Sequence, residues 1–208
     1  MKIKICGITK PDQAETIAGL GIDALGFICV PQSKRYVSPD LLRSISENLP
    51  QTIHRIGVFV DRAIEEMLEI YRICNLTGVQ LHGQEPPEIC AHIKETYPHL
   101  FLIKALAVRD QTTLDRASAY ANQVDVLLLD TYDPQQAGGT GKTINWQLLK
   151  NFRPPCPWWL AGGLKPSNVI TAITTAQPDG IDVSSGVERS AGDKNLAKVK
   201  DLIQQVRT

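Results

Sequence analysis

The chain carries no net charge: 22 lysines and arginines balance 22 aspartates and glutamates over 208 residues. Such a balance offers no broad field for nucleic acid or an anionic membrane, although a local field in a pocket can still hold a small anion. No apolar run approaches the ~20 residues that span a bilayer. The five cysteines (Cys6, Cys29, Cys74, Cys90 and Cys156) include no CxxC pair, and the four histidines form no HxxxH or HxH cluster. A disulfide framework and a structural zinc site are therefore not expected, and no metal ligand set emerges. The chain begins Met1-Lys2-Ile3-Lys4-Ile5, without the apolar core of a signal peptide. These absences read as a soluble protein of a reducing, cytoplasmic compartment. No linker, low-complexity segment or domain break interrupts the sequence.

What the chain does have is alternation. Short β-rich apolar runs predict strands at 2–6, 23–28, 54–60, 78–81, 100–106, 125–130, 157–161 and 180–183. Helical stretches follow at about 11–20, 39–48, 62–74, 86–95, 111–122, 145–150, 166–176 and 194–206. Strands that alternate with helices imply a parallel sheet, and eight such units suggest closure into a single-domain (β/α)8 TIM barrel over residues 1–208. Pro11, Pro39, Pro86 and Pro166 stand at expected helix starts, where a missing N–H costs little. Gly21, Gly78 and Gly180 stand where the chain should leave a helix for the next strand. The longest expected loop, about 131–143, contains Gly138, Gly139 and Gly141 and reads as a lid.

A barrel of this kind places its chemistry on the loops at the C-terminal ends of its strands. Cys6 ends the first strand, and Asp130 ends the sixth. A thiol and a carboxyl facing one substrate can act as base and acid. A thiol at a pKa near ~8.5 is only a few per cent ionised at pH 7, so the site must favour the anion, with the amides of Gly7 and Ile8 as candidate donors. A carboxyl at ~3.9 costs roughly 4 kcal/mol to protonate at pH 7, so an acid role needs burial or a bound anion. The bland alternatives are a small buried hydrophobe and a loop cap. Cys29, after strand two, is a weaker candidate, and the other three thiols read as packing.

Two turns suit a phosphate. Gly162-Gly163 follows strand seven and Ser184-Ser185-Gly186 follows strand eight, the position of phosphate cradles in many barrels. Arg35, after strand two, could clamp a carboxylate. His82, after strand four, could bind substrate or cap its loop. Lys104, inside strand five, could pair with Asp182 of strand eight. Gly139-Thr140-Gly141-Lys142-Thr143 resembles the end of a nucleotide P-loop, but Gln136 stands where that motif needs glycine.

Taken together, several segments closely resemble the phosphoribosylanthranilate isomerase family. They are Lys4-Ile5-Cys6-Gly7-Ile8-Thr9, Ser33-Lys34-Arg35-Tyr36-Val37, Val79-Gln80-Leu81-His82-Gly83, Leu128-Leu129-Asp130-Thr131, Gly138-Gly139-Thr140-Gly141, Leu160-Ala161-Gly162-Gly163-Leu164 and Asp182-Val183-Ser184-Ser185-Gly186-Val187-Glu188. The resemblance runs from residue 2 to the last helix. It implies a cofactor-free Amadori rearrangement of N-(5-phosphoribosyl)anthranilate in tryptophan biosynthesis. Cys6 would be the general base and Asp130 the general acid. Arg35 would hold the anthranilate carboxylate. Gly162, Gly163, Ser184, Ser185 and Gly186 would hold the phosphate. Gly139 and Gly141 would belong to the loop that closes over the substrate; His82 and Asp182, from their strand positions, are further candidates for substrate binding. The implied partner is this phosphosugar alone, and the chain reads as a monomer. Two alternatives stay open: a related phosphosugar barrel, such as an indole-glycerol-phosphate synthase or a ProFAR-type isomerase, and a non-catalytic phosphosugar-binding barrel.

Overall fold

The computed structural model describes residues 1–131 and 145–208. Eight parallel strands close into a barrel in sequence order: β1 (Lys2–Cys6), β2 (Ala24–Ile28), β3 (His54–Phe59), β4 (Gly78–Leu81), β5 (Phe101–Val108), β6 (Val126–Thr131), β7 (Trp158–Leu160) and β8 (Gly180–Val183). Lys2 to Ile5 of β1 pair with Gly180 to Val183 of β8, which closes the ring. The helices are α1 (Pro11–Ala18), α2 (Pro39–Glu47), α3 (Ile64–Ile73), α4 (Pro87–Thr96), α5 (Gln111–Ala117), α6 (Val169–Ala176) and α7 (Leu196–Arg207). The expected eightfold barrel is thus the observed fold. None of the described helices is long and apolar enough to cross a membrane.

Successive side chains of a strand point to opposite faces, so each strand feeds two cores. The inner face is small: Ala24, Ile56, Ile103, Ala105, Val126, Leu128, Trp159 and Ala161 form one cluster inside the barrel. The alternate residues, such as Ile3, Ile5, Leu25, Phe27, Val79 and Leu81, pack outward against the helices in a larger core. Lys4, Cys6, Gln80, Asp130 and Asp182 are buried too, and they share the inward alternation with the small cluster. Polar side chains therefore crown a dry plug.

The opposite end of the barrel is fastened by a repeated clamp. The residue just before each even-numbered strand accepts a backbone N–H from the preceding odd-numbered strand. Ile3 N–H donates to Asp23 (2.9 Å), Arg55 N–H to Thr77 (2.8 Å), Leu102 N–H to Asp125 (2.7 Å) and Trp158 N–H to Asp179 (2.9 Å). Each clamp satisfies a strand-end donor that burial would otherwise leave unpaired.

Local details depart from the sequence reading in several places, and α5, expected to reach residue 122, ends at Ala117. The segment expected as a helix at 145–150 is a single 3-10 turn, Trp146–Leu149, capped by Asn145. Pro166 lies in a turn before α6, which starts at Val169 rather than at the proline. Lys194 belongs to a short strand, Asp193–Lys194 (β10), paired with Glu188–Ser190 (β9), and α7 starts after it behind an Asn195 cap. Gly21 does adopt a left-handed φ of 78°, but Gly78 and Gly180 are the first residues of their strands. Their bare α-carbons answer to crowding: a Cβ on Gly78 would sit 2.5 Å from the Phe101 carbonyl oxygen, and one on Gly180 would sit 2.7 Å from the Trp159 ring. The expected lid, with Gly138, Gly139, Gly141 and the P-loop look-alike, lies outside the described residues.

Candidate active site

Cys6 ends β1 and is buried. Its expected helpers are engaged elsewhere, since the amides of Gly7 and Ile8 both donate to the Gly26 carbonyl at 2.9 and 3.0 Å. The group that faces the sulfur is Lys4, two residues earlier on the same face of the strand. A Cβ on Gly26 would lie 2.7 Å from Cys6 Sγ and 3.0 Å from Lys4 Nζ, so the bare α-carbon of Gly26 leaves room for the pair. Burial pushes the Cys6 thiol above its ordinary value. Lys4 and Lys194 pull the other way, and Asp182 adds to the rise.

Lys4 is wholly buried, and its ammonium donates to Asp182 Oδ2 at 2.9 Å and to Gln80 Oε1 at 2.8 Å. Burial alone would lower its pKa, but Asp182 and Cys6 outweigh burial and hold it above the ordinary value. Asp182 thus pairs with Lys4, not with Lys104 as its strand position suggested. Lys104 turns instead to Glu85 and the Gly83 carbonyl, both at 2.8 Å. Asp182 Oδ1 is buried and has no hydrogen-bond partner among the described residues.

Across the barrel, Asp130 ends the inward series of β6. Its Oδ1 accepts the Thr131 amide at 2.7 Å, and its Oδ2 lies 3.4 Å from His82 Nε2. The other ring nitrogen of His82 is 2.8 Å from Gln80 Nε2.

Arg35 reaches the same mouth from the loop after β2. Two of its nitrogens hold Glu188, which also accepts Lys194 Nζ at 2.7 Å. Its third nitrogen, Nη1, is not engaged by Glu188. The turns after β7 and β8 complete the rim. Gly162 and Gly163 have φ of 86° and 62°, a conformation that suits glycine. The segment Ser185–Val187 is one 3-10 turn rather than the start of a longer helix. Gly186 sits behind the rim, where a Cβ would overlap the Leu164 carbonyl.

One cavity of about 430 Å³ gathers these groups. Cys6, Arg35, His82, Asp130, Gly162, Gly163, Asp182, Ser184 and Ser185 line it, with Gln80 on its floor. Gly186 is not part of the lining, and Gly139 and Gly141 lie outside the described residues. Cys29 faces the outer core, where burial pushes its thiol up to about 12. No group of three or more metal-ligating side chains occurs among the described residues.

The sequence reading missed Lys4, Gln80, Gly26, Glu188 and Lys194. For two of them a signal was present. Lys4 stands two residues before Cys6 and Gln80 two before His82, and a period of two puts each pair on one face. Gly26 and Lys194 become visible only through register and through the β9–β10 hairpin.

An eightfold barrel with a thiol, a carboxyl, an imidazole and a guanidinium around one mouth has the architecture of a small-molecule barrel enzyme. The family model described as N-(5'phosphoribosyl)anthranilate (PRA) isomerase matches residues 3–205. An N-(5'-phosphoribosyl)anthranilate isomerase of Rippkaea orientalis is 53% identical over 207 residues, which cover 100% of this chain and 96% of that protein. The crystal structure of phosphoribosyl anthranilate isomerase from Thermotoga maritima superposes with a TM-score of 0.91 at 39% identity, covering 100% of this chain and 98% of that one. A crystal structure of such an isomerase in complex with reduced 1-(o-carboxyphenylamino)-1-deoxyribulose 5-phosphate superposes at 0.86 with 37% identity, again over 100% and 98%. The chain belongs to the N-(5'-phosphoribosyl)anthranilate isomerase family, a family of enzymes of tryptophan biosynthesis.

Proposed function

We propose that this chain converts N-(5-phosphoribosyl)anthranilate to 1-(2-carboxyphenylamino)-1-deoxyribulose 5-phosphate, with Asp130 as general acid and Cys6 as general base. The carrying observation is that both residues open into one cavity whose rim holds Arg35 and the Gly162-Gly163 and Ser184-Ser185 turns. The substrate is anionic at both ends, and the rim offers a guanidinium for the carboxylate and a backbone-rich cradle for the phosphate. Held at both ends, the sugar lies between the acid and the base, which removes the cost of bringing them together in each turnover.

Asp130 delivers its proton to the ribose ring oxygen. The ring C–O bond breaks and leaves an iminium at C1. Cys6, as thiolate, removes the proton from C2, and the electrons of that C–H bond form the C1–C2 double bond of an enolamine. Tautomerisation yields the ketone. The Lys4 ammonium stabilises the thiolate that this step requires. Arg35 holds the carboxylate through Nη1 while Glu188 fixes its other side. Asp182 Oδ1 offers a buried acceptor for a sugar hydroxyl, His82 lines the wall beside Asp130, and Gly186 keeps the phosphate turn tight.

A cytoplasmic location suits the five free thiols. The protein is a monomer in this proposal, since the exposed large apolar side chains Met1, Tyr36, Leu41, Ile73 and Ile170 lie on separate segments. A solved T. maritima relative is described as dimeric, so sedimentation decides the point.

The test is turnover of phosphoribosylanthranilate generated in situ, followed by the loss of anthranilate-type fluorescence, in the wild type, Cys6→Ser and Asp130→Asn. Turnover in the wild type and its loss in both variants is expected, because an alcohol is far less acidic than a thiol and an amide cannot donate an acidic proton. Normal turnover in either variant rejects the role of that residue. No turnover in the folded wild type rejects the isomerase.

A further inference from the structure

Beneath the cavity, a single polar track joins the base side of the barrel to the acid side. It starts at Lys4, which faces Cys6. It continues through Gln80, from Lys4 Nζ to Oε1 (2.8 Å) and from Nε2 to His82 Nδ1 (2.8 Å). It ends where His82 Nε2 meets Asp130 Oδ2 at 3.4 Å. The track has a direction that the donors and acceptors impose. A lysine ammonium can only donate, so the atom of Gln80 facing it must be the amide oxygen. The amide nitrogen then faces His82, and because an amide NH₂ also only donates, His82 Nδ1 must accept. In a neutral imidazole with one nitrogen accepting, the proton sits on the other.

We infer that Lys4 and Gln80 are positioning residues that hold His82 in its Nε2–H tautomer, so that it donates a hydrogen bond to Asp130. The assignment goes beyond the roles of acid and base and rests on the isomerase reading for its catalytic meaning.

Its consequence falls on the acid. Asp130 Oδ1 already accepts the Thr131 amide. With His82 donating to Oδ2, the carboxylate left after proton delivery meets a donor at each oxygen, and the carboxyl plane is fixed towards the cavity. A histidine protonated on Nδ1 instead would turn a lone pair towards Asp130. The acid would then donate to His82 rather than to the substrate. The 3.4 Å separation is an ion-pair distance beyond the usual range, about 2.7–3.2 Å, of an N–H···O hydrogen bond, and catalytic contacts often tighten to hydrogen bonds only when substrate binds.

Nitrogen-15 NMR of the His82 ring in the wild type tests the tautomer directly, with the signal assigned by its loss in His82→Asn. The expected spectrum has a protonated Nε2 and a pyridine-type Nδ1. Gln80→Glu puts an acceptor-only carboxylate beside Nδ1 and should move a proton onto that nitrogen. Gln80→Leu should lower kcat on the order of tenfold while changing KM less, because the lost interaction serves proton transfer and not binding. A neutral wild-type ring with its proton on Nδ1, an unchanged ring in folded Gln80→Glu, or a wild-type kcat in folded Gln80→Leu overturns the inference. The wild-type spectrum decides even if neither variant folds. Absence of turnover in a wild type whose ring is Nε2–H would sink the isomerase reading and leave the tautomer standing.

Discussion

Arg35 and Glu188 stand 153 residues apart in sequence and meet side by side, with Arg35 Nε 3.0 Å from Oε1 and Nη2 2.8 Å from Oε2. Oε1 also takes the buried Lys194 ammonium. One carboxylate thus orders a cation at the cavity rim and neutralises another behind it. Burial alone would raise the Glu188 pKa, but the bonds from Arg35 and Lys194 hold it below the ordinary 4.5.

Glu188→Ala should therefore be costly to the fold. Removing one partner of a buried pair costs about 3–5 kcal/mol, and each kcal/mol moves Tm by about 2–4 °C in a chain of this size. Thermal unfolding should show a fall of roughly 10 °C. The sign with pH follows from the depressed carboxyl. Its contribution is present above about 4.5 and is lost as pH falls through the lower folded value. The gap between wild type and variant should close below pH 4.5, and a gap that stays constant in acid would show that the ion pair is not its source.

Cys6 should be slow to alkylate at neutral pH. Because burial pushes its thiol above 9.0 in the free protein, the iodoacetamide rate at Cys6 should rise with pH through a midpoint above that value. Lys4→Met removes the opposing cation and leaves Asp182 without its partner, and both changes move the midpoint further up. A midpoint unmoved by Lys4→Met would mean that the ammonium does not act on the sulfur. A bound product analogue should protect the thiol.

Arg35→Ala should weaken an anthranilate-bearing ligand more than a bare sugar phosphate. Losing a charge-assisted bond costs about 1.5–3 kcal/mol, or roughly ten- to a hundredfold in Kd. Titration calorimetry of both ligands gives the comparison. Equal losses would mean that Arg35 orders the rim without touching the carboxylate.

Gly26→Ala adds a single methyl group where Cys6 and Lys4 need the space. Overpacking of this kind costs about 1–3 kcal/mol, which a folded barrel survives. The expected outcome is a folded protein with a much lower kcat, read by circular dichroism and turnover together. Full activity would show that the pair tolerates displacement.

The barrel was legible because its signals are local: each strand is a short apolar run, and each helix begins or ends on a residue that suits the position. The departures came where tertiary contacts override local preference. Residues 145–150 satisfy a helical pattern, yet only one turn, Trp146–Leu149, forms before Pro154 and Pro155 and the start of β7. Gly78 and Gly180 looked like helix exits, but their neighbours across the sheet explain them better. In the site, the residues that end strands could be read one at a time. Their partners could not. Asp182 met Lys4 instead of Lys104 because barrel closure sets β8 beside β1, a neighbourhood no local pattern carries.

The inward and outward alternation of the strands makes the chemistry a matter of parity. Cys6 faces the mouth and Lys4 the barrel interior beneath it, while Ile3 and Ile5 fill the outer core. A shift of β1 by one residue would send the ammonium and the thiol into the apolar layer and turn isoleucines towards the substrate. A shift by two would leave every side chain on its proper face. Length changes in the loops feeding β4, β6 and β8 are thus not graded perturbations. Even shifts of strand register keep each side chain on its face but carry it about 6.6 Å along the strand, and odd ones reverse the face, although neither changes the sequence of the chain.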